Sequence, residues 1–267
     1  MVQNEIMEID EEQIKEEFSP EEYGSVHKRF LQAFMSHGIL SASDAVRVFR
    51  SCLDTAKARY NDDLTDDGWL KLFADLLKTI ATDPFFLLTN LGIEKLTSEY
   101  DGVTVYYILV NRKNDDVTRS LKSYSDAEIY YVKNLMLQLS RSHTGTLEAD
   151  ECKEVVEVVK AGNRNLTRKE IEILLERLEK DKWIFQDEEF YGIHPRAMAE
   201  LKPFFNSVDP RDPCPLCQNT VFIAVDQTCN SCGVRAHKYC LAKYKNGRNH
   251  FKCPDKRCKA LWEAKPF

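Results

Sequence analysis

The last fifth of this 267-residue chain gathers Cys214, Cys217, Cys229, Cys232, Cys240, Cys253 and Cys258, with His237 among them. Only Cys52 and Cys152 precede this cluster. Seven thiols and an imidazole so close together can either form disulfides or hold metal. The chain starts with the acidic stretch MVQNEIMEIDEEQIKEEF, which has no apolar core and is the opposite of a secretory signal. That predicts a reducing compartment, where disulfides are disfavoured. Metal is therefore the better reading.

The spacing sharpens it. The order is C-x2-C-x11-C-x2-C-x4-H-x2-C-x12-C-x4-C. Zinc takes four thiolate or imidazole ligands in a tetrahedron, and a CxxC turn brings two sulfurs to one ion. Four ligand pairs then predict two zinc ions per chain. In a cross-brace, alternate pairs share an ion. Cys214, Cys217, His237 and Cys240 would form the first site, and Cys229, Cys232, Cys253 and Cys258 the second. A module of about 50 residues has little core, so bound metal would supply much of its folding free energy. His250 is a rival ligand, three residues before Cys253. The remaining histidines, His27, His37, His143 and His194, have no neighbouring ligands and read as structural or solvent-facing.

Two module types use this C4HC3 order: RING-like domains, which recruit ubiquitin-conjugating enzymes, and PHD fingers, which read histone tails. Phe251 suits a PHD finger, but no Trp lies near Cys229 to build an aromatic cage. Leu216 inside the first CxxC and Pro254 after Cys253 stand where RING domains carry an apolar shelf for the conjugating enzyme. No residue pair reads as a nucleophile and its base, so hydrolase chemistry is disfavoured.

The elements upstream must carry this module. Apolar positions Phe30, Leu31, Phe34 and Met35 share a helical face that ends at Gly38. A second helix is predicted from Ser43, with Val46, Phe49 and Leu53 inward, and a third from about Thr65, carrying Trp69, Leu72, Phe73, Leu76, Leu77 and Ile80. IEKLTSEYDGVTVYYILVN then reads as a hairpin around Asp101-Gly102. The order recurs, with helices predicted over 126–140 and 147–160 and a third opened by the capping box Thr167 and Glu170. WIFQDEEFYGI supplies a second hairpin and PRAMAELKPFF a helix from Pro195. Three helices and a hairpin, twice, predict an α+β chain of tandem winged helices followed by a RING-like zinc domain. The expected divisions are a flexible acidic start over 1–22, winged helices over 23–118 and 119–207, and the zinc domain over 208–267. One continuous α+β domain is the alternative for the first two.

Charge weighs on the partners. Residues 1–210 carry 26 basic and 39 acidic side chains, a net −13, whereas 211–267 carry 11 and 4, a net +7. The third helix of the second repeat presents Glu172, Glu176 and Glu179 on its outward side, where phosphates would be repelled. Protein partners are expected rather than direct groove reading, with DNA met mainly through them. No apolar run of about 18 residues suggests a membrane span.

CNSCGVRAHKYCLAKY (229–244) and HKRFLQAFMSHGIL (27–40) together resemble the non-structural maintenance of chromosomes element 1 family, the RING-like subunits of structural-maintenance-of-chromosomes 5–6 complexes. The resemblance implies a nuclear, chromosome-associated subunit acting in DNA repair and recombination. It also implies winged helices bound to a MAGE-type partner and a kleisin, and E3 ubiquitin ligase activity aided by the MAGE-type partner. Two features depart from an ordinary ligase RING. The final pair is Cys253-x4-Cys258 rather than x2, and Lys259, the candidate ubiquitin clamp, replaces the arginine of many RINGs. Lysine keeps the charge but lacks the planar fork of donors. A non-catalytic scaffold and, third, a histone reader stay open as alternatives to the ligase.

Overall fold

A computed structural model describes residues 18–61, 63–112, 121, 123–142, 144–155, 166–210, 212–223, 227–248 and 250–263. The chain divides into two compact units, Met1–Ile93 and Glu94–Phe267.

The first unit is built on three amphipathic helices, α1 (Ser25–His37), α2 (Ala42–Thr55) and α3 (Asp66–Thr82). Phe30, Phe34, Phe49, Leu53, Phe73, Leu76 and Ile80 are wholly buried. α2 and α3 start where Ser41 and Thr65 accept hydrogen bonds from the N–H groups of Asp44 and Gly68, relieving donors that a first helical turn leaves free. Gly38 stops α1 at φ 70°, a left-handed conformation that suits glycine. The buried stripe of α1 runs Val26, His27, Phe30 and Phe34. Met35, expected on that face, is 55% exposed because it lies about 100° round the helix from Phe34. His27 is structural: Nδ1 accepts from Gly24 N–H and Nε2 donates to the Pro20 carbonyl. Two short elements escape sequence periodicity, β1 (Ile39–Ser41) and α4 (Pro84–Leu88).

The second unit starts within β2 (Leu91–Thr97), the hydrogen-bonded neighbour of β3 (Val105–Asn111), and the expected Asp101-Gly102 turn joins the two strands. The Asp101 carboxylate accepts from Val103 and Thr104 N–H, and Gly102 takes φ 68°. Next come α5 (Asp126–Arg141), β4 (Thr146–Glu148), α6 (Ala149–Glu154) and α7 (Arg168–Lys180). β5 (Ile184–Asp187), β6 (Phe190–Ile193), α8 (Pro195–Glu200) and α9 (Lys202–Val208) complete this part. The strands form an antiparallel sheet in the order β4-β6-β5, with Thr146 opposite Gly192 and Ile184 opposite Ile193.

α7 opens with the capping box read from the sequence: Thr167 Oγ1 accepts from Glu170 N–H, and Glu170 accepts from Thr167 N–H. Its Ile171, Leu174, Leu175 and Leu178 pack with Leu135, Met136, Leu139 and Trp183, while Glu172, Glu176 and Glu179 are exposed. The helix expected from Leu147 begins later, at Ala149, because residues 146–148 pair with β6. Its end at 160, His143 and the acidic start over 1–17 lie outside the described residues.

The cysteine-rich segment contributes α10 (Lys238–Lys245) and an antiparallel pair, β7 (His250–Lys252) and β8 (Leu261–Glu263), with Phe251 opposite Trp262. Its small core joins Val221, Val234, Ala236, Leu241, Phe251 and Trp262 to the cysteines. Among the described residues no helix is long and apolar enough to cross a membrane.

Candidate metal centre

Two tight turns build the first half of each cluster. Gln218 N–H donates to the Cys214 carbonyl at 2.8 Å, and Gly233 N–H to the Cys229 carbonyl at 2.9 Å. Short bridges, Pro213 to Thr220 and Thr228 to Arg235, close the two turns in the same way. The residue after each second cysteine adopts positive φ, 65° at Gln218 and 73° at Gly233. Glycine takes that conformation without strain and glutamine does not. α10 supplies the next pair, with His237 at its cap and Cys240 in its first turn. The loop before β8 supplies the last, where Cys253 N–H donates to Ala260 and Cys258 N–H to Asp255.

The eight side chains converge as two clusters that could each hold a metal ion: Cys214, Cys217, His237 and Cys240, and Cys229, Cys232, Cys253 and Cys258. Within each, the ligand atoms lie within 4.8 Å of one another. Cys229 Sγ is 4.0 Å from Cys258 Sγ, and Cys232 Sγ is 3.8 Å from Cys253 Sγ. A zinc tetrahedron with bonds of about 2.3 Å to sulfur puts its thiolates about 3.8 Å apart. His237 aims Nδ1 at the cluster, 3.2 Å from Cys217 Sγ and 3.8 Å from Cys240 Sγ. The alternating use of the pairs is the cross-brace expected from the spacing. His250 is exposed at the start of β7 and belongs to neither cluster.

The protonation chemistry fits a soft divalent cation. Burial opposes ionisation of Cys214, yet the His237 ring and backbone N–H groups, including those of Leu216 and Cys217, bring it down to about 6. Cys229 falls to about 7 against the same opposition, through N–H groups of Cys232 and Ser231. Cys240 and Cys253 are pushed up, first by burial and then by the sulfurs around them. Four negative sulfurs crowded together need a cation, and a bound metal holds its thiols deprotonated. Burial lowers His237, but Cys214 and Glu99 outweigh it and raise the metal-free ring to about 10. The donor set, three thiols with an imidazole beside four thiols, suits zinc.

Cys52 and Cys152 are buried thiols that belong to neither cluster; burial raises both, Cys152 to about 12. His194 caps α8 by accepting from Arg196 N–H.

The apolar shelf is partly assembled. Leu216 lines a groove of about 540 Å³ with Asn219, Tyr239, Lys243 and Tyr244, and with Lys95 and Thr97 of β2. Half-buried Pro254 and exposed Lys259 lie outside that lining. The sequence reading missed three residues of the centre. Tyr239 stacks on His237 at 4.9 Å and 17°. The Thr220 carbonyl accepts from His237 Nε2 at 3.1 Å, and the Glu99 carboxylate lies 3.4 Å from the same nitrogen. Tyr239 could have been suspected from its place in the second ligand pair. Glu99 could not, because nothing local links it to a segment more than a hundred residues on.

A sequence model of the family described as "Nse1 non-SMC component of SMC5-6 complex" matches residues 27–201, well over half of the chain. The chain belongs to the Nse1 family. Among its relatives, the Xenopus laevis protein called non-structural maintenance of chromosomes element 1 homolog is 30% identical over 238 residues, spanning 88% of this chain and 82% of the frog protein. The human protein of the same name is 24% identical over 238 residues, 89% of this chain and 84% of that one. A solved chain from the "Nse1-Nse3-Nse4 complex" superposes with a TM-score of 0.72 at 27% identity, covering 92% of this chain and 99% of its own length. The family match ends at residue 201, so the eight candidate ligands rest on their own geometry rather than on that match.

Proposed function

We propose that this chain is a RING-type E3 ubiquitin-protein ligase subunit of a nuclear SMC5-6 complex acting in DNA repair and recombination. The observation that carries the ligase reading is the groove beside the first cluster. Leu216 from the first metal turn and Tyr239, Lys243 and Tyr244 along α10 bound a cleft rigidly tied to the metal ligands Cys217 and Cys240. A RING contributes no covalent catalyst. It holds the conjugating enzyme's thioester in a reactive arrangement, an orientational contribution to rate. Leu216 would anchor the ubiquitin-conjugating enzyme in that groove; Pro254 would meet it from the second metal loop, and Lys259 would steady ubiquitin. Zinc, two ions per chain, would hold these loops in place, through Cys214, Cys217, His237 and Cys240 and through Cys229, Cys232, Cys253 and Cys258.

Apart from the extra short helix α4, the helix, short strand, two helices and hairpin of α1 to β3 recur as α5 to β6, which supports tandem winged helices over 23–118 and 119–207, with the zinc domain over 208–267. The solved structure it resembles is of a complex with Nse3 and Nse4. That supports a MAGE-type subunit and a kleisin as partners of the winged helices. Exposed Glu172, Glu176 and Glu179 on α7 favour protein contacts over phosphate contacts.

The test follows discharge of a ubiquitin-charged conjugating enzyme by the chain, alone and with its MAGE-type partner. Slow discharge alone and faster discharge with the partner is the expected result. No acceleration by the partner complex across a panel of conjugating enzymes rejects the ligase. The second reading, a zinc-stabilised scaffold, would then stand; exposed Lys259 in place of an arginine fork is the observation in its favour.

A further inference from the structure

A carboxylate removed from water needs hydrogen-bond donors for its oxygens. Glu99, in the turn between β2 and β3, has a side chain only 4% exposed. Its oxygens accept from Phe222 N–H at 3.0 and 3.1 Å and from Ile223 N–H at 2.7 Å. Oε1 also stands 3.4 Å from Nε2 of His237, the nitrogen turned away from the first metal cluster.

The loop that Glu99 grips faces two cores. Thr220 gives its carbonyl to His237 Nε2, and Val221 packs among the cysteines. Phe222 enters the core of the α5–α9 region, edge-on to Phe205 at 5.1 Å, and Ile223 packs against the same core. Tyr100, beside Glu99, ties the turn to that region as well. Its hydroxyl donates to the Gly145 carbonyl at 3.1 Å and accepts from Ile193 N–H at 3.0 Å.

We propose that Glu99 is the positioning residue of the first metal cluster, although it lies outside the cysteine-rich module. It orients the His237 ring directly and fixes the loop whose Thr220 carbonyl receives the ring N–H. A carboxylate or carbonyl behind a ligating histidine sets its tautomer and raises its basicity, and losing such a partner costs about 10–100-fold in metal affinity. Retention of the first ion therefore depends on the Glu99 carboxylate that the β2–β3 turn presents. The second cluster, four sulfurs, has no imidazole for a carboxylate to orient. The inference rests on the metal reading of the first cluster.

The experiment uses the full zinc-loaded chain as wild type, Glu99→Gln and Tyr100→Phe. Ion count by native mass spectrometry comes first, then ion release to a chromogenic chelator, then visible spectra of cobalt-substituted protein. Glu99→Gln is expected to release one of two ions about 10–100-fold faster, with the other at the wild-type rate. Its cobalt bands from the three-sulfur, one-nitrogen site should shift while those of the four-sulfur site stay. Tyr100→Phe, which removes the hydroxyl's bonds to Gly145 and Ile193 but leaves the Glu99 carboxylate on Phe222 and Ile223, should match wild type in both readouts. Wild-type release from Glu99→Gln overturns the proposal. So does equal acceleration of both ions, or equal behaviour of the two variants, since each assigns Glu99 only a general role in folding. A wild-type chain with fewer than two ions removes the metal reading itself, and the proposal with it.

Discussion

Leu216 stands between two cysteines of the first cluster, Cys214 at 0% exposure and Cys217, while its own side chain remains half-exposed on the groove. An apolar side chain left partly in water beside a rigid site is better placed for docking than one sunk in the core. Shortening it should remove an anchor without disturbing the ligands. Leu216→Ala in the partner complex is expected to slow conjugating-enzyme discharge about tenfold, the effect of losing roughly 1–2 kcal/mol at an interface anchor. Zinc content must match wild type, so that a damaged fold is not mistaken for lost docking. An equally fast variant with its zinc intact would leave the ligase standing and move its docking surface elsewhere. The grouping of the eight residues into two clusters was legible from spacing alone because each CxxC turn and the cap of α10 are local structures. The residues that orient them were not. Glu99 bonds Phe222 across 123 residues, and no periodic pattern reports such a contact.

Elements with long apolar periods, α3 and α7 above all, were read correctly, and so was the Asp101-Gly102 hairpin. Three-residue strands such as β1 and β4 were not, because a run that short shows no alternation to recognise. The cost was a helix begun two residues early at Leu147. The turn before β4 carries a sharper constraint. Gly145 sits at φ 75°, and a β-carbon there would stand 2.6 Å from Ile223 Cγ1. Gly145→Ala therefore combines backbone strain of about 1–2 kcal/mol with displacement of Ile223. We expect the melting temperature of the zinc-loaded chain to fall by at least about 2–4 °C. An unchanged melting temperature would show that the Ile223 loop is not held against this turn.

For the molecule as a whole, charge and packing point the same way. The acidic balance of residues 1–210 and the exposed carboxylates of α7 disfavour phosphate contacts, and a basic partner would have to provide them. The full chain should bind duplex DNA more weakly than about 1 μM at physiological salt; submicromolar binding with a steep salt slope would reverse that assignment. Testing the whole chain matters, because Phe222 and Ile223 of the cysteine-rich segment pack into the core of the α5–α9 region and a truncation before them would expose it. Every function proposed for this end of the molecule depends on the two clusters holding metal. Native mass spectrometry of wild type and His237→Ala tests them most directly. Two zinc ions in wild type, and one in the variant with the four-sulfur site still loaded, is the predicted result; one ion or none in wild type would contradict the cross-brace.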